Sequence, residues 1–162
     1  MRNLLLFSAV LFAFFACDSN RVYDTYTSVA VSGWDRDQII TFEIETNDTI
    51  SSHELFIQIR NTEAYKYSNL FLITDLESPD GLLQKDTLEF AMTDRFGNWL
   101  GTGFTDIKEN KLYYKDAFVF PVSGSYTIRV QQAMRKRDQV DGIQKLQGIS
   151  DVGFRIEKTN NE

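Results

Sequence analysis

Apolar and polar residues alternate with a period of two along most of the chain beyond position 20. Ile40, Phe42 and Ile44 alternate with Thr41, Glu43 and Glu45, and Leu88, Phe90 and Met92 with Glu89, Ala91 and Thr93. Tyr126, Ile128 and Val130 alternate with Thr127, Arg129 and Gln131, and Val152, Phe154 and Ile156 with Gly153, Arg155 and Glu157. Leu55, Ile57 and Ile59 share one face, while Phe56, Gln58 and Arg60 share the other. Such alternation places one face of a strand in a core and the other in water, as in antiparallel sheets. Leu70-Phe71-Leu72-Ile73 is continuously apolar and predicts a strand covered on both faces. Phe118-Val119-Phe120 reads similarly until Pro121 limits further pairing. With a Tyr-, Thr- and Val-rich segment over Val22–Val31, about eight strands are expected.

The punctuation between these runs agrees. Ser78-Pro79-Asp80-Gly81 is a turn in which Pro presets φ, and Asp and Gly tolerate tight geometry. The glycines of Phe96–Gly103 mark a bend or hairpin. Ser123-Gly124-Ser125-Tyr126 opens a strand and resembles the tyrosine corner of β-sandwiches. One helical turn is expected over Asp106–Lys111 and no long amphipathic helix anywhere. These signals predict an all-β fold, a single antiparallel β-sandwich of immunoglobulin-like or jelly-roll type.

The first residues follow a different rule. Met1-Arg2-Asn3 carries one positive charge, and Leu4–Ala16 follows without any. As a helix this run would rise about 20 Å, short of the ~30 Å bilayer core, so it reads as a secretory signal rather than a span. It ends at Cys17, the only cysteine in the chain. A lone cysteine after a small residue at the end of an apolar run resembles a bacterial lipobox, with Phe14 where Leu is usual. The resemblance implies diacylglyceryl transfer to the Cys17 thiol, cleavage before it and acylation of the new amino terminus. The expected organisation is a signal peptide over 1–16, a lipidated tether over 17–21 and a sandwich domain over 22–162.

Composition removes several function classes. Among 162 residues, 17 are Lys or Arg and 23 are Asp or Glu, a net charge of -6. An acidic surface repels phosphate backbones, so nucleic acid is not an expected partner. One Cys and one His exclude an internal disulfide and a cysteine-built zinc centre. His53, after Ser51-Ser52, reads as a polar loop residue. Asp75, Glu77 and Asp80 lack the spacing of an EF-hand calcium loop. Gly97, Gly101 and Gly103 lack the Lys-Ser/Thr of a phosphate-binding loop. Asp35 and Asp37, after Trp34, form a carboxylate pair of the kind glycosidases use across a cleft. Arg135-Lys136-Arg137 is the one basic cluster, a solvated loop or a contact with anionic headgroups. No enzyme, catalytic residue, metal or cofactor is expected.

Several strings point to a family. Arg60-Asn61 is followed by Tyr65-Lys66-Tyr67-Ser68-Asn69-Leu70, then by Asp94-Arg95-Phe96-Gly97-Asn98-Trp99-Leu100-Gly101, and the chain closes on Asp151-Val152-Gly153-Phe154-Arg155-Ile156-Glu157. Their order and spacing, with the lipobox, resemble the gliding-motility lipoprotein GldH family of the Bacteroidota. The resemblance implies a non-catalytic envelope lipoprotein that serves gliding and the associated type IX secretion machinery. Asp18 is followed by Ser19, Asn20 and Arg21 rather than by an acidic run, which in this phylum implies an outer-membrane protein facing the periplasm. Asp48-Thr49-Ile50 and Asp86-Thr87-Leu88 resemble the phylum's O-glycosylation triplet. Partners are expected to be other motility lipoproteins or secretion subunits, met through the exposed aromatics Trp99, Tyr65 and Tyr67. Arg60 and Asn61 either join that surface or fix their corner by hydrogen bonds. The alternative function is a glycan-binding lipoprotein of a polysaccharide-uptake system.

Overall fold

Alternating side chains become two facing sheets. The computed structural model describes residues 20–137 and 139–159, and the expected signal peptide and Cys17 lie outside them. The strands, in chain order, are β1 (Arg21–Ser28), β2 (Trp34–Asp35), β3 (Ile40–Thr46), β4 (His53–Asn61), β5 (Asn69–Glu77), β6 (Leu83–Ala91), β7 (Lys108–Phe118), β8 (Gly124–Gln132), β9 (Lys145–Leu146) and β10 (Ile149–Lys158). One sheet has the order β1-β10-β4-β7 and the other β3-β8-β5-β6, while β2 and β9 form a short ribbon. Setting that ribbon aside, the first long strand pairs with the last, the second with the seventh, the third with the sixth and the fourth with the fifth. A long hairpin has been rolled up, which is the jelly-roll alternative of the sandwich.

The core lies between the sheets. Leu55, Ile57 and Ile59 of β4 and Val152, Phe154 and Ile156 of β10 meet Phe42, Ile44, Leu72, Ile128 and Val130 of the opposite sheet. Phe42 stacks on Phe154 across the gap, ring centroids 6.0 Å apart. Each such side chain contributes about 1.5–3 kcal/mol when fully buried. One open side is closed by polar contacts between the edge strands β7 and β6. There Tyr114 Oη donates to Asp86 Oδ2 at 3.1 Å, and Lys115 Nζ reaches the same oxygen at 3.0 Å.

Several local expectations are corrected. Lys108–Lys111 opens β7 rather than forming a helical turn, because Asn110, Leu112 and Tyr114 point inward against β4 and β6. His53 is not a loop residue; it starts β4, is 2% exposed and packs edge-on against Phe120. Phe118–Phe120 is not a strand, since β7 ends at Phe118 and Phe120 turns into the core while Val119 stays outside. Leu70 and Leu72 are buried, but Phe71 and Ile73 are only half covered on the outer face. β1 begins at Arg21, the last residue of the expected tether.

The expected tyrosine corner is present. The Tyr126 hydroxyl, fully buried, donates to Val122 O at 2.8 Å and accepts from Val122 N–H at 3.1 Å, holding the approach to β8. The outer face of the first sheet carries a charged row instead. Lys111 Nζ donates to Glu157 Oε2 at 2.6 Å, Arg155 bonds both Glu157 and Asp24, and Lys111 also lies 3.9 Å from the centroid of the Phe56 ring.

Two outcomes follow from these contacts. Tyr126→Phe leaves both backbone groups of Val122 without their partner and costs about 1–3 kcal/mol in urea unfolding. Desolvation opposes ionisation of Glu157, but hydrogen bonds from Lys111 and Arg155 outweigh it and hold the carboxyl below the ordinary glutamate value. A carboxylate depressed in the folded state stabilises above its unfolded value of about 4.3 and loses that stabilisation as pH falls through the folded value. The urea midpoint therefore declines in acid below about pH 4.3, and Glu157→Gln flattens that decline.

Candidate functional site

Strand register sorts the loops into two groups. Arg21 pairs with Glu157, Lys158 with His53 and His53 with Phe118, so these residues share one end of their sheet. Thr46 pairs with Gly124 and Glu77 with Leu83 at one end of the other sheet. The connections 47–52 and 119–123 join those two ends directly, so both belong to one pole of the sandwich. That tether pole holds the start of β1, the end of β10 and three short loops, 47–52, 78–82 and 119–123. Lys158 N–H donates to Asn20 O at 2.8 Å, which holds the start of β1 to the end of β10 there. The far pole holds 29–39, 62–68, 92–107 and 133–148, where nearly all the long irregular chain is collected.

The far loops are fastened by buried amides. Gln132, 1% exposed, donates from Nε2 to Ile143 O at 2.7 Å and accepts at Oε1 from Met134 N–H at 2.9 Å, closing the base of 133–143. Asn110 Nδ2 donates to Asn61 Oδ1 at 2.8 Å and to Ile59 O at 3.1 Å. Gly101 leaves the space that Asn110 fills, since a Cβ there would lie 2.7 Å from Asn110 Oδ1. Arg60 donates from Nε to Glu109 Oε2 at 3.0 Å and covers the Tyr26 ring at 3.9 Å. Arg60 and Asn61 thus fix their corner by hydrogen bonds. The ribbon of β2 and β9 seals this pole with Trp34 and Leu146, both fully buried.

Tyr65 and Tyr67, on one loop, and Trp99, from another, come together at the far pole. Tyr65 lies 5.6 Å from Tyr67 and 6.3 Å from Trp99, centroid to centroid. Their exposure differs from expectation. Tyr65 is 2% exposed and not a surface residue, because its hydroxyl donates to Asn69 O at 2.6 Å and its backbone lies against Gly148. Burial, and then neighbouring Tyr67, pushes its hydroxyl above the ordinary tyrosine range. Tyr67 and Trp99, in contact with it, are half-buried. The interplanar angles of 69° and 47° mean that the three rings make no flat platform of the kind that stacks on sugar rings.

The accessible apolar surface lies around them. Val31, Phe96, Leu100, Phe104 and Val140 are all exposed on far-pole loops. Asp94 shapes one of these loops: hydrogen bonds from Asn98 hold its carboxyl below the usual range, and it also accepts from Phe96 N–H at 2.8 Å. An open groove of about 1180 Å³ runs beside this loop cluster, floored by Tyr67, Phe71 and Met134 and rimmed by Arg135, Lys136 and Arg137. Those three exposed cations belong to the far pole, about one strand length from the start of β1 and the end of β10. Asp35 and Asp37 serve structure: Asp35 Oδ1 accepts from Asp37 N–H at 3.0 Å and from Gln144 Nε2 at 3.1 Å, bracing the ribbon. Among the described residues no group of His, Cys, Asp or Glu has a metal-binding arrangement. The arrangement is suited to contact with another macromolecule.

Residues 21–156 match the sequence model of a family described as GldH lipoprotein. The chain is 50% identical over 158 residues to the protein named gliding motility lipoprotein GldH homolog of Christiangramia forsetii, covering 98% of this chain and 95% of that one. It is 43% identical over 156 residues to gliding motility lipoprotein GldH of Flavobacterium johnsoniae, covering 96% and 95%. Among solved structures, the infectious bursal disease virus VP2 subviral particle matches with a TM-score of 0.35 and 18% identity over 84% of this chain and 30% of that chain. Dimeric latent PorU of Porphyromonas gingivalis matches with a TM-score of 0.30 and 13% identity over 86% and 13%. Both likenesses are too loose to bear on function.

Gly148 carries the sharpest prediction for this pole. Its φ is +84°, and a Cβ would lie 2.0 Å from Tyr65 N. Gly148→Ala therefore displaces Tyr65 and costs at least the roughly 1–2 kcal/mol of a left-handed non-glycine residue. The expected result is a lower urea midpoint with an altered near-UV spectrum from the Tyr65–Trp99 contact.

Proposed function

Since the chain belongs to the GldH lipoprotein family, a family of gliding motility, we propose that it is a non-catalytic adaptor held by lipid on Cys17 at the periplasmic side of the outer membrane. Residues 1–16 are removed as the signal peptide and the residues after Cys17 form a short tether to β1. The far pole then binds a neighbouring motility lipoprotein or a subunit of the type IX secretion machinery. Confinement to a membrane raises the effective concentration of the two partners, so a modest interface suffices.

The observation that carries this reading is the separation of the two poles. β1 starts and β10 ends at one, while the long loops and most of the exposed large apolar side chains of the described residues gather at the other. Exposed apolar clusters of this kind mark interaction sites. Tyr67 and Trp99 lie at the border of that surface, and Tyr65 supports them from beneath. The glycan-binding alternative loses Tyr65, which is buried and inclined to both Tyr67 and Trp99.

Two measurements test the reading. Cys17→Ala should leave the protein out of the membrane fraction and abolish gliding in cells that depend on it; unchanged fractionation and acylation overturn the anchor. Phe104→Ser with Val140→Ser removes two fully or nearly fully exposed side chains. It should leave the fold intact and deplete the envelope proteins that co-purify with the lipidated chain. Undiminished co-purification, or binding to a glycan array in its place, overturns the adaptor reading.

A further inference from the structure

Exposed apolar side chains also occur at the opposite end, and they follow a pattern. Each short loop of the tether pole presents one: Ile50 on 47–52, Leu82 on 78–82 and Val119 on 119–123. Ile50 is 89% exposed. Two of the three are held outward by an aspartate of their own turn. Asp48 Oδ1 accepts from Ile50 N–H at 3.1 Å and Ser51 N–H at 2.9 Å, and Asp80 Oδ1 accepts from Leu82 N–H at 3.3 Å. The carboxylates are thereby turned back onto backbone while the aliphatic tips project. Arg21 and Lys158, both exposed, stand at the ends of β1 and β10 at the same pole, as do the exposed carboxylates of Asp80 and Asp116.

The chain outside the described residues decides what meets this surface. Three residue steps separate Cys17 from Asn20, a reach of at most about 11 Å. The ten-residue β10 spans about 30 Å from pole to pole. A bilayer holding acyl chains on Cys17 is therefore always within reach of the tether pole, whereas the far pole meets it only when the sandwich lies on its side. Aliphatic tips with cations beside them suit the boundary between headgroups and acyl chains, where apolar groups sink about 5–10 Å and basic groups stay at the phosphates.

We propose that the tether pole is itself a lipid-contacting face. Ile50, Leu82 and Val119 enter the phospholipid interface as three points of support and stand the sandwich upright, with its far loops directed into the aqueous space. This rests on acylation of Cys17 and adds to it an orientation that a flexible tether alone does not supply.

The test uses the lipidated full-length product reconstituted into vesicles of phosphatidylethanolamine and phosphatidylglycerol. Acylated Cys17 has no free thiol, so Ile50→Cys, Leu82→Cys and Val119→Cys each introduce a single site for an environment-sensitive fluorophore. Val31→Cys and Val140→Cys serve at the far pole. The mass of each product is measured first. The expected result is a blue shift with quenching by nitroxide-bearing lipids at the three tether-pole sites, and water-like emission at the other two. An acylated chain whose tether-pole labels remain in water overturns the lipid face alone, whereas a chain without acyl mass overturns the anchor and the lipid face together. Shielding that needs no vesicles and rises with protein concentration assigns the tips to a second copy, and likewise overturns it.

Discussion

The register that sets Arg21 against Glu157 and Lys158 against His53 brings the start of β1 and the end of β10 to one pole of the sandwich. The separation of the two poles descends from that pairing. Rolling one long hairpin into two sheets leaves short turns where its ends meet and long connections at the other end. The short turns are tied by local side-chain contacts such as that of Ser78 Oγ with Asp80. The long connections have no sheet to complete and must be held some other way. A slip by one residue in the β1–β10 ladder would turn Tyr23, which packs against the core, to the outer face.

What holds the far loops is a small set of buried amides and one ribbon. Gln132, Asn61 and Asn110 bond loop or strand-end backbone or one another, in places where an unmet polar group would cost about 1–3 kcal/mol. Trp34 closes the same pole, its Nε1–H donating to Gln38 O at 3.1 Å. Rigid bases under exposed tips favour binding, because less freedom is lost when a partner arrives. Three of the strings that carry the family resemblance, those around Asn61, Tyr65–Leu70 and Asp94–Gly101, converge at this pole.

The strands with one dry and one wet face were legible as alternation, and β3, β8 and β10 lie where their patterns placed them. β7 was not, because its polar run Lys108–Lys111 hides an inward Asn110 that is satisfied by another amide rather than by apolar contact. Tyr65 misled for a related reason. It sits among Glu63, Lys66 and Ser68, and the approach of Trp99 and Gly148 from loops distant in sequence helps to bury it. Phe56 and Gln58 of β4 face outward yet are buried, under Lys111 with Tyr113 and beside Tyr26, respectively. Proximity of the three chosen aromatics is a property of loop placement, and no local pattern encodes it.

The direction in which β1 leaves the sheet has a mechanical consequence. A pull between an anchored amino end and a load seized at the far loops runs parallel to the strands, so the rungs from Arg21–Glu157 to Ser28–Asp151 are sheared all at once. Had β1 entered from the opposite end, the same tension would peel those rungs apart one after another. The topology thus favours a slow, collective rupture under traction over gradual fraying.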